Sequence, residues 1–215
     1  MLQETIRSEQ PLGVCRTDSG WRSQFGHPRG WRGWAMGHLM AVTNKERSLW
    51  VLSLLNLQPE DHVLEIGFGP GADIHRAAER VALGFVAGID SSDVMLRQAM
   101  RKNREAIRAG RVELRQGTAS HLPYESASVD VVFATNVAQH WGDPTGPLRE
   151  IFRVLKPGGL AALAVQPRNK GASEQTAEQT GQILTDALFS AGFKSVRLER
   201  RPMKPVSTVC ALGIR

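Results

Sequence analysis

The run Val63-Leu64-Glu65-Ile66-Gly67-Phe68-Gly69-Pro70-Gly71 decides the architecture. An apolar strand carrying one acid runs straight into a loop with glycine at every second position. Glycine has no Cβ, so the chain can turn there with positive φ and a ligand can lie against bare backbone. A helix is expected from Ala72 to about Arg80, with its first N–H groups pointing back at whatever fills the loop. A small nucleoside-like ligand suits such a loop. Taken alone, the run leaves that ligand open. Gly67, Gly69 and Ala72 also satisfy the G-x-G-x-x-[G/A] dinucleotide fingerprint, and Asp90 lies near the spacing of a ribose-binding acid. An NAD enzyme is therefore a competing reading.

Other features separate the two. Glu65 sits inside the strand, where a dehydrogenase strand usually stays apolar, and Gly71 makes the glycines alternate. Downstream, Ser91-Ser92-Asp93-Val94-Met95 reads as a capped helix start with an acid in its first turn. Gly117-Thr118-Ala119-Ser120-His121 leads to Ser128-Val129-Asp130-Val131-Val132-Phe133-Ala134, an acid within a buried-looking strand. Leu148–Leu155 reads as a helix stopped by Lys156-Pro157-Gly158-Gly159 and followed by a strand from Leu160.

In this order and spacing, the four motifs resemble those of class I S-adenosylmethionine-dependent methyltransferases, in the small-molecule and lipid/quinone branch. The resemblance covers about Leu57 to Val165 well and the rest loosely, and it accounts for the Lys156–Gly159 turn, which a dehydrogenase does not. It implies S-adenosyl-L-methionine as cofactor and S-adenosyl-L-homocysteine as product. On that basis Glu65, Gly67, Gly69 and Gly71 match the motif that holds the methionine end, with Phe68 inside it. Asp90 matches the acid for both ribose hydroxyls, with Ser91 beside it, and Met95 the apolar residue on adenine. Thr118-Ala119 stands where relatives usually carry Asp-Ala, so a threonine hydroxyl must substitute for the acid. Asn136 and Val137 fall beside the methyl group.

The alternation of strands and helices implies an α/β, Rossmann-like, doubly wound sheet with helices on both faces. The resemblance implies seven mostly parallel strands with the last one antiparallel. Expected elements include one helix over Val94–Ile107, a helix over Glu174–Ala191 and strands over Ser195–Arg200 and Thr208–Ile214. Residues 1–20 read as a mobile polar tail, 21–56 as an aromatic-rich helical lid, and 57–215 as the cofactor-binding core. Four of the five tryptophans lie between Trp21 and Trp50. Phe25, His27, Trp34 and His38 are the candidate lid and substrate residues, together with Trp141. Leu39, Met40, Val42, Leu49, Trp50, Leu52, Leu54 and Leu55 suggest a helix with an apolar face that ends near Asn56.

Methyl transfer from a sulfonium is an in-line displacement that rests mainly on positioning and water exclusion. His140, just past the fourth strand, is the candidate general base, since imidazole titrates near neutrality; capping the next helix is its alternative role. A sealed pocket beside the methyl would instead favour a non-catalytic cofactor-binding partner subunit.

The 215 residues, 41% hydrophobic, suit one globular core. Cys15 and Cys210 form no metal or disulfide pattern, Asp143 lacks companion acids for a metal, and a reducing cytoplasm is the expected setting. No apolar stretch is long enough to span a bilayer, and the N-terminus carries no signal-peptide pattern. The net charge of +6 comes with basic clusters, notably Arg97, Arg101, Lys102, Arg104, Arg108 and Arg111. A solvated helix face explains them; peripheral contact with an anionic membrane is the sharper account. Nucleic acid is disfavoured because aromatics do not interleave with the basic runs. The expected partner is a small, hydrophobic or amphipathic acceptor. A phospholipid headgroup and a homodimer remain open.

Overall fold

Residues 45–215 are described by the computed structural model. The expected tail and most of the expected lid, including Phe25, His27, Trp34 and His38, lie outside the described residues. The elements run α1 (Lys45–Leu54), β1 (His62–Ile66), α2 (Ala72–Arg80), β2 (Phe85–Asp90), α3 (Asp93–Lys102), α4 (Arg104–Arg108), β3 (Val112–Gln116), β4 (Val129–Thr135), a 3₁₀ turn (Ala138–His140), α5 (Thr145–Val154), β5 (Leu155–Val165), α6 (Glu174–Ser190), β6 (Lys194–Arg201) and β7 (Thr208–Ile214). One seven-stranded sheet takes the order β3-β2-β1-β4-β5-β7-β6. Neighbours from β3 through β5 pair in parallel, whereas β7 runs antiparallel to both β5 and β6. The expected seven-stranded sheet with an antiparallel last strand is thus present.

Alternating side chains serve two cores. Val63, Val86, Val131, Phe133, Ala162 and Cys210 pack under α1, α2 and α3. Leu64, Ile66, Ile89, Val132, Leu163 and Val165 pack under α5 and α6. The strand order reverses direction between β1 and β4, and such a switch point opens a crevice beyond the carboxyl ends of the strands.

Three local expectations change. The helix expected over Val94–Ile107 is split at Asn103. The Asn103 amide Nδ2 donates to the carbonyls of Gly71 (3.0 Å) and Ala99 (2.9 Å), and such a local side-chain bond competes with the helix ladder. Strand β5 begins at Leu155, not Leu160, because pairing resumes around a bulge between Val129↔Leu155 and Val131↔Leu160. The buried stripe of α1 is Arg47, Ser48, Val51 and Leu52, while Leu49 points outward. Helical spacing from Val51 and Leu52 carries inward whatever stands four residues earlier, and here that is Arg47 and Ser48.

Candidate active site

Three glycine conformations shape the loop after β1. Gly67, Gly69 and Gly71 have φ of +73°, +52° and +76°, a region that costs other residues about 1–2 kcal/mol. A Cβ on Gly67 would overlap the Val137 side chain, which ties the loop to the end of β4. A Cβ on Gly71 would lie 2.6 Å from Ala99 Cβ and 2.7 Å from Asn103 Nδ2. Gly71 therefore acts by letting α2 pack on α3, and it does not reach the cavity wall.

The crevice is a cavity of about 600 Å³, within the usual range for small-ligand sites. Its wall contains the expected Glu65, Gly67, Phe68, Gly69, Asp90, Ser91, Met95, Thr118, Ala119, Asn136 and Val137, and continues to His140 and Trp141. Among the described residues, these side chains line one and the same cavity. Phe68 is largely turned inward, with its ring packed on Gly88 beneath the loop.

Each acid has a defined place. Asp90 Oδ2 accepts the Gly69 N–H at 2.8 Å and Oδ1 accepts the Ser92 N–H at 2.8 Å, so it fixes both the glycine loop and the start of α3. Glu65 shares a sheet face with Val63 and points toward α2, 3% exposed. Burial, then the carboxylates of Asp73 and Asp90, push its carboxyl well above the usual range. Among the described residues its buried Oε2 has no hydrogen-bond partner. An orphaned acid oxygen on a cavity wall suits a ligand cation, which would stabilise its charged form.

Asn136 has φ +56° at the end of β4. Its Oδ1 accepts the Gln166 N–H at 2.8 Å, and its own N–H donates to the Ala164 carbonyl at 2.7 Å. Asparagine tolerates this conformation, and here it locks the ends of β4 and β5 together. His140 closes the 3₁₀ turn with its N–H donating to the Val137 carbonyl at 2.8 Å. Its exposed side chain lies on the cavity rim.

Sequence reasoning missed Arg47, Ser48 and Asp73, which also line the cavity. Ser48 Oγ donates to Asp73 Oδ2 at 2.9 Å, and Arg76 Nη1 donates to Asp73 Oδ1 at 2.9 Å. The available signal was the four-residue spacing from Val51 and Leu52.

A family model described as a methyltransferase domain matches residues 64–163. The uncharacterized methyltransferase YdaC of Bacillus subtilis (strain 168) is 33% identical over 175 residues, covering 81% of this chain and 94% of that protein. The chain belongs to the class I S-adenosylmethionine-dependent methyltransferases. This methyltransferase is also 38% identical over 108 residues to the demethylmenaquinone methyltransferase of Lactiplantibacillus plantarum, of which it spans 46%. A SAM-dependent methyltransferase from Aquifex aeolicus shares the fold with a TM-score of 0.61 at 22% identity, over 78% of this chain and 88% of that one. Among the described residues of the methyltransferase, no helix is long and apolar enough to cross a membrane.

Proposed function

We propose that the enzyme methylates a small amphipathic acceptor held against Val137, His140 and Trp141, with S-adenosylmethionine along the wall from Glu65 to Thr118. The observation that carries this reading is the continuous cavity from the glycine loop to His140 and Trp141. When bound, the cofactor supplies an electrophilic methyl on a sulfonium. The orphaned Glu65 Oε2 receives its ammonium, Asp90 its ribose, and Met95 its adenine, with the Thr118 hydroxyl in place of the usual acid. Asn136 and Val137 stand after β4 on the same wall. These residues would hold the cofactor so that its methyl, the group it would supply, faces the acceptor atom. His140 takes the acceptor's proton where that proton must leave.

Relatives in the comparison carry names tied to apolar acceptors, among them a demethylmenaquinone and a cycloartenol. Trp141 gives the present mouth a matching apolar wall. The cysteine usage fits a reducing, cytoplasmic setting.

The test is S-adenosylhomocysteine release by purified enzyme across apolar alcohols, phenols, quinols and amines. At the acceptor that turns over, His140→Ala should lower kcat by about 10²–10⁴-fold while cofactor affinity stays nearly intact. Equal loss of both would remove His140 as the base, and no release with any acceptor would overturn the reading.

A further inference from the structure

The sheet ends on β6, whose eight residues, Lys194–Arg201, pair with β7 alone among the described residues. Edge strands are usually short or blunted, because their outer N–H and C=O groups form a template for another strand. Here the blunting is confined to one end. The ladder to β7 is irregular between Lys194 and Arg197, and Ser195 has φ +48°. From Arg197 to Arg201 the pairing is regular.

The side chains of β6 divide between two faces. Arg200 bonds Glu174 at the start of α6, and Leu198 lies against Gly181 of the same helix, where an added Cβ would sit 2.7 Å from Leu198 Cδ2. Arg201 reaches Glu46 of α1 on the other face. Both outer arginines therefore meet acids of other elements. In the middle, Arg197 pairs with Glu199 of its own strand at 3.4 Å, and both are partly exposed. Leu198 between them is 41% exposed, so α6 leaves the edge uncovered there. A lone exposed ion pair of this kind contributes little to one chain.

The order Arg197-Leu198-Glu199 is complementary to itself. When two copies of one strand meet antiparallel, their two-fold axis passes through a pair of identical residues, because outward backbone groups alternate along a strand. An axis at Arg197, Glu199 or Arg200 sets like charges face to face. An axis at Leu198 sets that leucine on its own copy and each Arg197 opposite Glu199 of the other chain. Side chains so opposed start about 4.5–5.5 Å apart at Cβ, within reach of an ion pair. The cross-strand pairs join the existing ones in a ring of alternating charge, the arrangement in which surface ion pairs do contribute. Val196 falls opposite Arg200, whose aliphatic stem can cover it. The other edge strand, β3, carries Glu113-Leu114-Arg115, but its Leu114 packs on Gly88 and its Arg115 lies over the Tyr124 ring.

We propose that β6 is a docking edge for a second copy of this chain, paired antiparallel about Leu198 so that one sheet runs through both copies. β5 and β7 stand between β6 and β4, and with strands about 4.8 Å apart the contact lies roughly 15 Å from β4. The dimer therefore leaves the cavity open and is independent of which acceptor it takes.

The test is sedimentation equilibrium of the full chain over a wide concentration range, where the wild type should approach twice the mass of one chain. Arg197→Glu makes acid face acid across the axis, and Glu199→Arg makes arginine face arginine. Each should weaken association by about 10-fold or more. Mixing the two variants should restore it, because every facing pair is again of opposite charge. Exchanging both residues within one chain should restore it as well. Both positions are partly exposed, so each variant should melt close to the wild type, which separates lost association from lost folding. A wild type that stays monomeric at every concentration would overturn the proposal and leave the edge to another occupant. Association that survives both single reversals would overturn it too, since β3 or another surface would then carry the contact. Association lost in both variants and not restored by mixing would deny the register at Leu198, and with it the proposal.

Discussion

The two ends of the cavity are built in opposite ways. On the β1–β2 side, backbone does most of the work: glycines at positive φ, N–H groups aimed at one acid, and a helix start. On the β4–β5 side, side chains from distant segments meet: Arg47 from α1, Asn136 after β4, Gln166 after β5, and His140 from a 3₁₀ turn. A backbone-built site tolerates little change, because each glycine is required by geometry. A side-chain-built site can be revised one residue at a time.

The largest break should come from Gly67→Ala. The new Cβ meets Val137 in a positive-φ position, adding about 1–2 kcal/mol of backbone strain to the overlap. Cofactor binding should become undetectable by calorimetry, and retention within a few-fold would show that the loop is softer than its geometry. Next comes Asp90→Asn, which leaves one acceptor where two N–H groups point. The opposed amide should cost about 1–3 kcal/mol, read as roughly 10–100-fold weaker S-adenosylhomocysteine binding.

Glu65→Gln should sharpen the contrast, because its two effects have opposite signs. Glu65 titrates above the ordinary value of 4.5 in the folded protein. Burying its charge therefore costs nothing well below pH 4.5, and the cost grows as pH rises toward the folded value. At neutral pH the glutamine variant of the ligand-free enzyme should melt higher, by about 2–4 °C if roughly 1 kcal/mol is recovered. The same variant should bind S-adenosylmethionine about 10-fold more weakly, having lost a charge-assisted partner. A parallel rise or fall of both would sink the assignment.

The smallest effect belongs to Glu150. Arg153 donates to both of its oxygens, Leu122 N–H donates to Oε2, and the carboxyl is drawn down to about 2. Its contribution is present above pH 4.5 and is lost as pH falls through about 2. Glu150→Gln should flatten the acid limb of the stability profile while costing under about 1 kcal/mol at neutral pH.

The same contrast governs what the sequence discloses. The glycine loop, Asp90 and the strand alternation are legible because their roles are local: conformation and position follow from neighbours within a few residues. Gly71 was readable as part of the loop, yet its contact with Ala99 and Asn103 depends on how two helices pack. Asn103 itself looked like an ordinary residue inside a helix until its amide reached Gly71 across 32 positions. Arg47 was hidden for the same reason, since its partner Gln166 lies 119 residues away. No pattern along the chain announces such a pairing. His140 could be found because it follows β4 directly, although only the structure puts it on the wall of the same cavity as the glycine loop.

The bond from the Gly69 N–H to Asp90 has a kinetic consequence. The loop is already drawn to the acid before any cofactor arrives, so little chain entropy remains to be lost there on binding. Encounter should therefore proceed at the ordinary pace of a rigid recess, and weaker loop variants should differ mainly in how quickly they let go. In this protein the glycine loop acts as a clock on departure.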